Sequence, residues 1–198
     1  MKPAGRAPKT DLPVMFFSSQ KDLAKWLDKN HSKSPGIWLK IAKKGSGIDS
    51  VSYTEAIDVA LCYGWIDGQK DKFDESMWLQ RFTPRGPRSI WSKINREKAE
   101  GLIEAGQMKA AGLKAVQSAK LDGRWDRAYD SHSTSTVPDD FQAELDKSAA
   151  ATAFFATLNS ANRYAILFRI QTAKKAETRS RRIKQFIQML ENKEKIHP

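Results

Sequence analysis

The chain has 198 residues, of which 40% are hydrophobic and 29% charged, and this composition indicates a globular protein rather than a disordered or membrane-embedded one. Its formal net charge of +11, from 34 Lys and Arg against 23 Asp and Glu, favours anionic partners. Cys62 is the only cysteine, which excludes an intramolecular disulfide, and its place in the apolar run 56–63 predicts a buried, unreactive thiol.

The N-terminal residues show no pattern typical of export. Residues 1–12 are basic and rich in Pro and Gly, which predicts a disordered arm. The apolar run 14–17 is shorter than the about 7–15 residues of a secretory h-region. The most apolar helical run, 149–158, is shorter than the about 20 residues that span a bilayer. We therefore expect a cytoplasmic protein without a membrane span.

Apolar segments in the first half of the chain predict strands. β-branched and aromatic residues are frequent in them, and Pro, Gly or charged residues bound them. A charged turn separates the last two, which would join them as antiparallel neighbours, and Pro84 ends the second. The segments are 14–17, 37–41, 65–68 and 77–82. We expect an α+β body in which a small antiparallel sheet packs with helices.

Capping signals mark the first two helices. Ser19 with Asp22, and Ser52 with Glu55, have the spacing at which a hydroxyl and a carboxylate bond the first amides of a helix. Apolar residues then recur at helical spacing, and Gly64 stops the second helix. Two further helices are predicted over 89–104 and 110–120, and the buried stripe of the first comprises Ile94, Ala99, Leu102 and Ile103.

The Ser/Thr-rich stretch 131–137 has no periodicity and predicts a linker. Beyond Pro138 the pattern is helical, and the last predicted helix, 176–192, carries an apolar stripe surrounded by basic residues. We therefore divide the chain into a basic arm, an α+β body and a helical C-terminal region. Their predicted ranges are 1–12, 13–135 and 136–198.

Several sequence blocks resemble the YdeI/OmpD-associated, or bacteriocin-protection, family. Residues 60–68 read ALCYGWIDG, close to the family's ALCFGWIDG. The other blocks are 81–85, 89–95, 122–129, 177–179 and 182–183. The family's names refer to bacteriocin protection and to survival of cationic antimicrobial peptides. The resemblance implies a protective role in stress resistance, but no reaction, cofactor or catalytic residue.

The blocks also contain the residues best suited to bind a ligand. Aromatic faces beside Arg and Asn donors suit a planar anion. The alternative is structural: Trp65 and Trp91 belong to the core, and Arg81 pairs with Asp67 across the hairpin. The candidate set is Trp65, Asp67, Arg81, Arg85, Ser89, Trp91, Lys93 and Asn95.

A second aromatic and charged segment, 122–129, adds Arg124, Trp125 and Tyr129 to the candidates. This segment either forms the wall of a cleft or is an ordered loop whose aromatic residues pack inward and whose charges pair locally. Both interpretations stay open at the level of the sequence.

The basic stretch 174–184 either grips phosphates or forms a solvated helix face. Helical spacing directs three of its basic residues toward the protein and leaves three others available to a partner. The first set is Lys175, Arg179 and Arg182, and the second is Lys174, Arg181 and Lys184.

Motifs for familiar catalytic chemistry are missing from the sequence. His31, His132 and His197 lack metal-ligand spacing, and no P-loop, GxGxxG or GxSxG pattern occurs. We expect neither a metal nor a cofactor. The leading hypothesis is a cytoplasmic, non-enzymatic binding or stress-protection protein with an anionic small molecule as ligand. The alternatives are a small-molecule enzyme that uses the Trp/Arg/Asp cleft, and a non-specific nucleic-acid binder that uses the basic C-terminal helix.

Overall fold

The computed structural model describes residues 12–198, so the predicted arm at 1–12 lies outside the described residues except for Leu12. In this range the chain forms four strands and eight helices, and the predicted α+β class is confirmed. The elements are β1 (Val14–Phe16), α1 (Gln20–Asn30), β2 (Ile37–Ala42), α2 (Tyr53–Cys62), β3 (Trp65–Lys72), β4 (Met77–Pro84), α3 (Lys93–Glu104), α4 (Ala110–Leu121), α5 (Asp139–Leu145), α6 (Ala149–Thr157), α7 (Ser160–Gln171) and α8 (Ala176–Glu191).

The strands form one sheet in the order β1-β2-β4-β3. β4 pairs antiparallel with both β2 and β3, as predicted, whereas β1 pairs parallel with β2. The sheet is therefore mixed: its antiparallel part was predicted, whereas the parallel pair of β1 and β2 was not. The reason lies in α1, which connects β1 to β2 and returns the chain to the end of the sheet from which it left.

The predicted helix caps are confirmed. The Ser19 hydroxyl accepts a hydrogen bond from the backbone amide of Asp22 at 3.2 Å. At α2 the cap is reciprocal: Ser52 Oγ accepts from the Glu55 amide, and Glu55 Oε2 accepts from the Ser52 amide at 2.8 Å. The bond from the Ser52 amide lowers the pKa of the Glu55 carboxyl. Capping therefore begins α2 at the position that the sequence indicates.

α3 begins at Lys93, four residues later than predicted. The residues before it are extended, because the Tyr129 amide donates to the Trp91 carbonyl at 3.0 Å and the Lys93 amide donates to the Tyr129 carbonyl at 2.9 Å. The predicted stripe also fails at Ile94, which is 44% exposed, while Ala99 is fully buried. Five positions along a helix are about 140° apart, so these two side chains cannot share a face.

Contacts within the chain define two compact units. The first contains the described residues up to Ser89 together with Asn95–Asp126, and the second contains Ile90–Ile94 and Arg127–Pro198. The division into 13–135 and 136–198 that the sequence suggested stays a prediction. The first unit holds the sheet and α1 to α4, with Leu39 and Leu79 fully buried at its centre. The second holds α5 to α8 around a core that includes Phe141, Leu145, Ile166, Ile170 and Leu190.

Two negative findings concern residues 12–198. No helix there is long and apolar enough to cross a bilayer. The same residues contain no group of three or more His, Cys, Asp or Glu side chains placed to hold a metal ion.

Candidate anion-binding site

A cavity of about 420 Å³ lies in the first unit, beside the start of β3. This volume is in the range of small-molecule sites, about 300–1,000 Å³. One wall is a face of α4, and another is the loop that follows β4. The lining residues are His31, Ser32, Tyr63, Gly64, Trp65, Pro84, Arg85, Gly86, Pro87, Ala111, Lys114, Ala115, Ser118 and Arg124.

Two glycines bring α4 close to the end of α2 and so form the cavity wall. Gly64 has φ +71°, and a Cβ there would lie 2.8 Å from the Ala111 carbonyl oxygen. At Gly112 a Cβ would lie 2.4 Å from the Cys62 carbonyl oxygen and 2.3 Å from the sulfur of Met108. Since side chains are excluded at both positions, the backbones of the two helices approach directly.

Arg124 is the most constrained charged group of the lining, with only 7% of its surface exposed. Its Nε donates to both carboxylate oxygens of Asp122, at 2.8 and 2.7 Å. Its Nη1 donates to the Ser89 carbonyl at 2.8 Å, and its Nη2 donates to Ser118 Oγ at 3.1 Å. A guanidinium has five N–H groups, so two of them lack an acceptor among residues 12–198. Arg124 is therefore a fixed donor with capacity for a further anion.

The charges that face the cavity are positive. Arg85, Lys114 and Arg124 line it, and no carboxylate of the described residues does. Tyr63 adds no negative charge, because burial and the nearby Asp28 raise the pKa of its hydroxyl to about 12. That hydroxyl donates to Asp28 Oδ1 at 3.2 Å. The lining therefore attracts an anion.

His31 contributes a polar edge whose proton can be assigned. Its Nδ1 lies 2.9 Å from the Leu27 carbonyl oxygen. A carbonyl can only accept, so Nδ1 carries a hydrogen and Nε2 is the ring nitrogen left for a ligand. The imidazole ring also contacts the Tyr63 ring, with centroids 5.4 Å apart.

The remaining surface of the cavity is mainly apolar. Pro84 is the last residue of β4, Pro87 comes from the loop after it, and Ala111 and Ala115 come from α4, where small side chains leave room. Trp65 closes the interior end with 1% exposure, and its Nε1 donates to the His31 carbonyl at 3.0 Å. A cavity with apolar walls and fixed cations suits an anion that has an apolar body.

Comparisons with protein families match both halves of the chain. Residues 15–115, half of its length, match a family described as a domain of unknown function, DUF8412. Residues 134–193 match the family described as bacteriocin-protection, YdeI or OmpD-associated. The chain therefore belongs to the DUF8412 family, and its C-terminal part is similar to the YdeI/OmpD-associated family. No curated protein and no solved structure matches the chain.

The YdeI/OmpD-associated match confirms the family that the sequence blocks suggested. It covers α5 to α8 and lies within the second unit. The ALCYGWIDG block lies in the DUF8412 match, and so does most of the cavity lining, from His31 to Ala115. Neither family description names a ligand or a reaction.

Three of the candidate residues from the sequence meet at the cavity: Trp65, Arg85 and Arg124. Ser89 is outside the lining but holds two parts of it in place: its Oγ accepts from the Gly86 amide at 3.0 Å, and its carbonyl accepts from Arg124. The local pairing of charges in 122–129 is confirmed by the contact between Arg124 and Asp122. Trp125 packs inward with 5% exposure. Asn95 lies in α3, outside the lining.

Asp67 and Arg81 do not converge. Asp67 stands opposite Phe82 in the β3–β4 pair, and Arg81 precedes Phe82, so the two side chains leave opposite faces of the sheet. Accordingly, Asp67 accepts from the Tyr53 hydroxyl at 2.8 Å, whereas Arg81 lies beside Gly68. The predicted pairing across the hairpin is therefore wrong, and these two residues cannot belong to one cleft.

The other candidates, Trp91, Lys93 and Tyr129, belong to the second unit. There Lys93 Nζ lies 2.6 Å from Asp130 Oδ1, and Gln171 donates to Asp130 Oδ2 at 2.7 Å. Trp91 is 1% exposed, as its core interpretation requires. These residues stabilise the extended segment before α3 and are not part of the cavity lining.

Sequence reasoning missed the contribution of α4 and of the end of α1. Lys114, Ser118 and His31 were not among the candidates, although all three line the cavity. The available signal was the small-residue spacing Ala111, Ala115, Ser118, which places one narrow face on α4. Such a stripe is common in helix packing, so by itself it does not identify a ligand site.

Cys62 is buried, as predicted, and lies outside the cavity lining. Burial raises the pKa of its thiol, and the nearby Asp58 raises it further. The thiolate, which is the reactive form, is therefore disfavoured. Its low reactivity toward thiol reagents stays a prediction.

The basic residues of α8 separate much as helical spacing predicted. Arg179 donates to both carboxylate oxygens of Asp140, at 2.6 and 2.8 Å, and to the Ile170 carbonyl. Arg182 donates to the Arg169 carbonyl. Lys175 does not lean inward: it is exposed, because it is the N-cap of α8 and lies outside the regular turns. Lys174, Arg181 and Lys184 are exposed, as predicted.

Proposed function

We propose that the protein binds a small anion with an apolar body in the cavity beside β3 and performs no chemistry on it. The observation that carries the proposal is Arg124, a buried guanidinium held at three points with two N–H groups still available. On this proposal the protein acts in the cytoplasm and protects the cell by sequestering its ligand.

The fixed position of Arg124 favours binding, because a donor that is already ordered loses little entropy when a ligand arrives. Low exposure strengthens the attraction, since the partly dry surroundings screen charge less than water does. Lys114 adds a mobile charge at the rim, as an exposed side chain without an ion pair in the described part of the chain. Together they provide one oriented and one adaptable cation for an anionic head group.

The same geometry favours binding over catalysis. Nucleophilic catalysis needs a hydroxyl or thiol within reach of a base. Ser118 Oγ accepts from the guanidinium of Arg124, and among the described residues no hydrogen bond joins this hydroxyl to Nε2 of His31. Among the described residues, no carboxylate lines the cavity to act as a general base. The alternative of an enzyme that uses a Trp/Arg/Asp cleft also required Asp67, which lies elsewhere on the sheet.

A series of ligands tests whether binding depends on the negative charge or on the shape of the ligand. We expect aromatic and branched aliphatic carboxylates to raise the melting temperature by about 5–10 °C at about 100 times their Kd. Their neutral amides, of the same shape, should give shifts near zero, because they lack the charge that Arg124 and Lys114 recognise. Equal shifts from acids and amides, or no shift from any acid, would contradict the proposal.

A charge reversal on α4 tests the site itself. Lys114→Glu should weaken binding of the best carboxylate about 10-fold by calorimetry, because it removes one attraction and adds one repulsion at the rim. Lys120→Glu is the matched control: it lies on the same helix, is exposed, and changes the net charge equally, but is not in the lining. The control should change affinity less than about 2-fold. Similar losses in both variants would show that only the overall charge matters.

A further inference from the structure

We propose a second binding site, on the outer face of α8, for the phosphate backbone of duplex nucleic acid. This site goes beyond the cavity and rests on separate observations in the second unit. An open groove of about 550 Å³ follows the helix there. The residues that line it are Glu177, Ser180, Arg181, Lys184, Gln185 and Gln188.

The basic residues of α8 have divided roles. Arg179 and Arg182 are occupied by Asp140 and by the carbonyl groups at the end of α7, so they stabilise the fold. The hydrogen bonds from Arg179 lower the pKa of the Asp140 carboxyl, which keeps that pair ionised. Contacts within the fold therefore explain the presence of Arg179 and Arg182. They do not explain the three exposed residues Lys174, Arg181 and Lys184, which we call the outer cations.

The outer cations form no comparable contacts among the described residues. Lys174, Arg181 and Lys184 are exposed and form no ion pair with any residue of the range 12–198. Glu177 is the only acid of the groove against Arg181 and Lys184, so the lining is net positive, and Lys174 lies two residues before the first turn of α8. Ser180, Gln185 and Gln188 add neutral donors that can bond phosphate oxygens.

The extent of the groove suits a repeating anion better than a single one. Residues 177 to 188 rise about 17 Å along the helix axis, and one strand of a duplex presents a phosphate about every 3.4 Å. Several phosphates can therefore lie along this face. Contacts of this kind read no bases, so binding should be independent of sequence.

Two other polyanionic partners fit the face less well. Single strands are held by aromatic platforms, and none of the groove residues is aromatic. A membrane-binding helix needs an exposed apolar face, but the apolar stripe of α8 packs inward, with Ile183 5% exposed and Leu190 fully buried. Duplex phosphate is therefore the partner that the chemistry favours.

The test is binding of the full chain to a fluorescent 20-base-pair duplex at several salt concentrations. Three phosphate contacts predict a slope of about −2.7 for log affinity against log salt, which is about 40-fold weaker binding at 200 mM than at 50 mM. The triple variant Lys174→Glu, Arg181→Glu, Lys184→Glu should lose detectable binding at 50 mM and keep the wild-type melting temperature. The variant Lys44→Glu, Lys70→Glu, Lys72→Glu changes net charge equally with exposed residues of the first unit, and should bind like the wild type.

Each other outcome overturns the inference. No duplex binding by the wild type at 50 mM removes the site. A slope shallower than about −1 removes the three contacts. Loss of binding in the control variant, or its retention in the α8 variant, places the contact elsewhere. Binding to vesicles with anionic lipid but not to the duplex identifies a membrane surface instead.

Discussion

Replacing Gly112 by alanine is expected to destabilise the protein by about 2–3 kcal/mol, measured by urea denaturation. A Cβ at this position would lie 2.4 Å from the Cys62 carbonyl oxygen and 2.7 Å from that of Leu61. Backbone oxygens at the end of α2 cannot rotate away as a side chain could, so α4 must shift. Because α4 carries the cavity wall, the variant should also lose affinity for the ligand.

Gly101 provides the control for this prediction. It lies in α3, and a Cβ there would meet nothing within 4 Å. Gly101→Ala should therefore stabilise the protein by about 0.5–1 kcal/mol, because alanine is the better helix former and restricts the unfolded chain. The two variants make the same chemical change with opposite expected signs. A Gly112→Ala variant as stable as the wild type would show that α2 and α4 do not approach so closely.

Replacing Arg124 by methionine is expected to destabilise the protein by about 2–3 kcal/mol and to abolish ligand binding. The change keeps most of the apolar stem but removes the donors to Asp122, Ser89 and Ser118. The Ser89 carbonyl loses its partner, and the loop after β4 loses its anchor. Denaturation and calorimetry measure the two effects separately.

Two further variants distinguish the contribution of Arg124 to stability from its contribution to ligand binding. Arg124→Lys keeps the charge but has no planar fork, so it should recover part of the stability and bind the ligand at least about 10-fold more weakly than the wild type. Arg88→Ala, in the same loop but exposed and outside the lining, should change stability by no more than about 0.5 kcal/mol. Full ligand affinity in Arg124→Lys would mean that charge alone matters at this position.

Local rules predicted much of the fold. The cap at Ser52 and Glu55 depends only on neighbours three residues apart, so it can be recognised from the sequence. The same applies to the hairpin of β3 and β4, where a charged turn separates two apolar segments. The parallel pairing of β1 and β2 could not be recognised in this way, because it depends on where α1 returns the chain.

The cavity was harder to predict, since its residues come from five separate parts of the chain. Trp65, Arg85 and Arg124 could be proposed from their chemistry, but Lys114 is one lysine among many until α4 is placed. Asp67 and Arg81 show the opposite error. They are complementary in charge, but a difference of one residue in register puts them on opposite faces of the sheet.

The most direct test of the central claim is an NMR titration of the ¹⁵N-labelled protein with the carboxylate that gives the largest thermal shift. Saturable shifts are expected to concentrate at the backbone amides of Gly64, Gly86 and Ser118 and at the Nε–H of Arg124, all at or beside the cavity. The neutral amide of the same ligand should leave these signals unchanged. Saturable shifts confined to other parts of the chain, with none at the cavity, would contradict the claim.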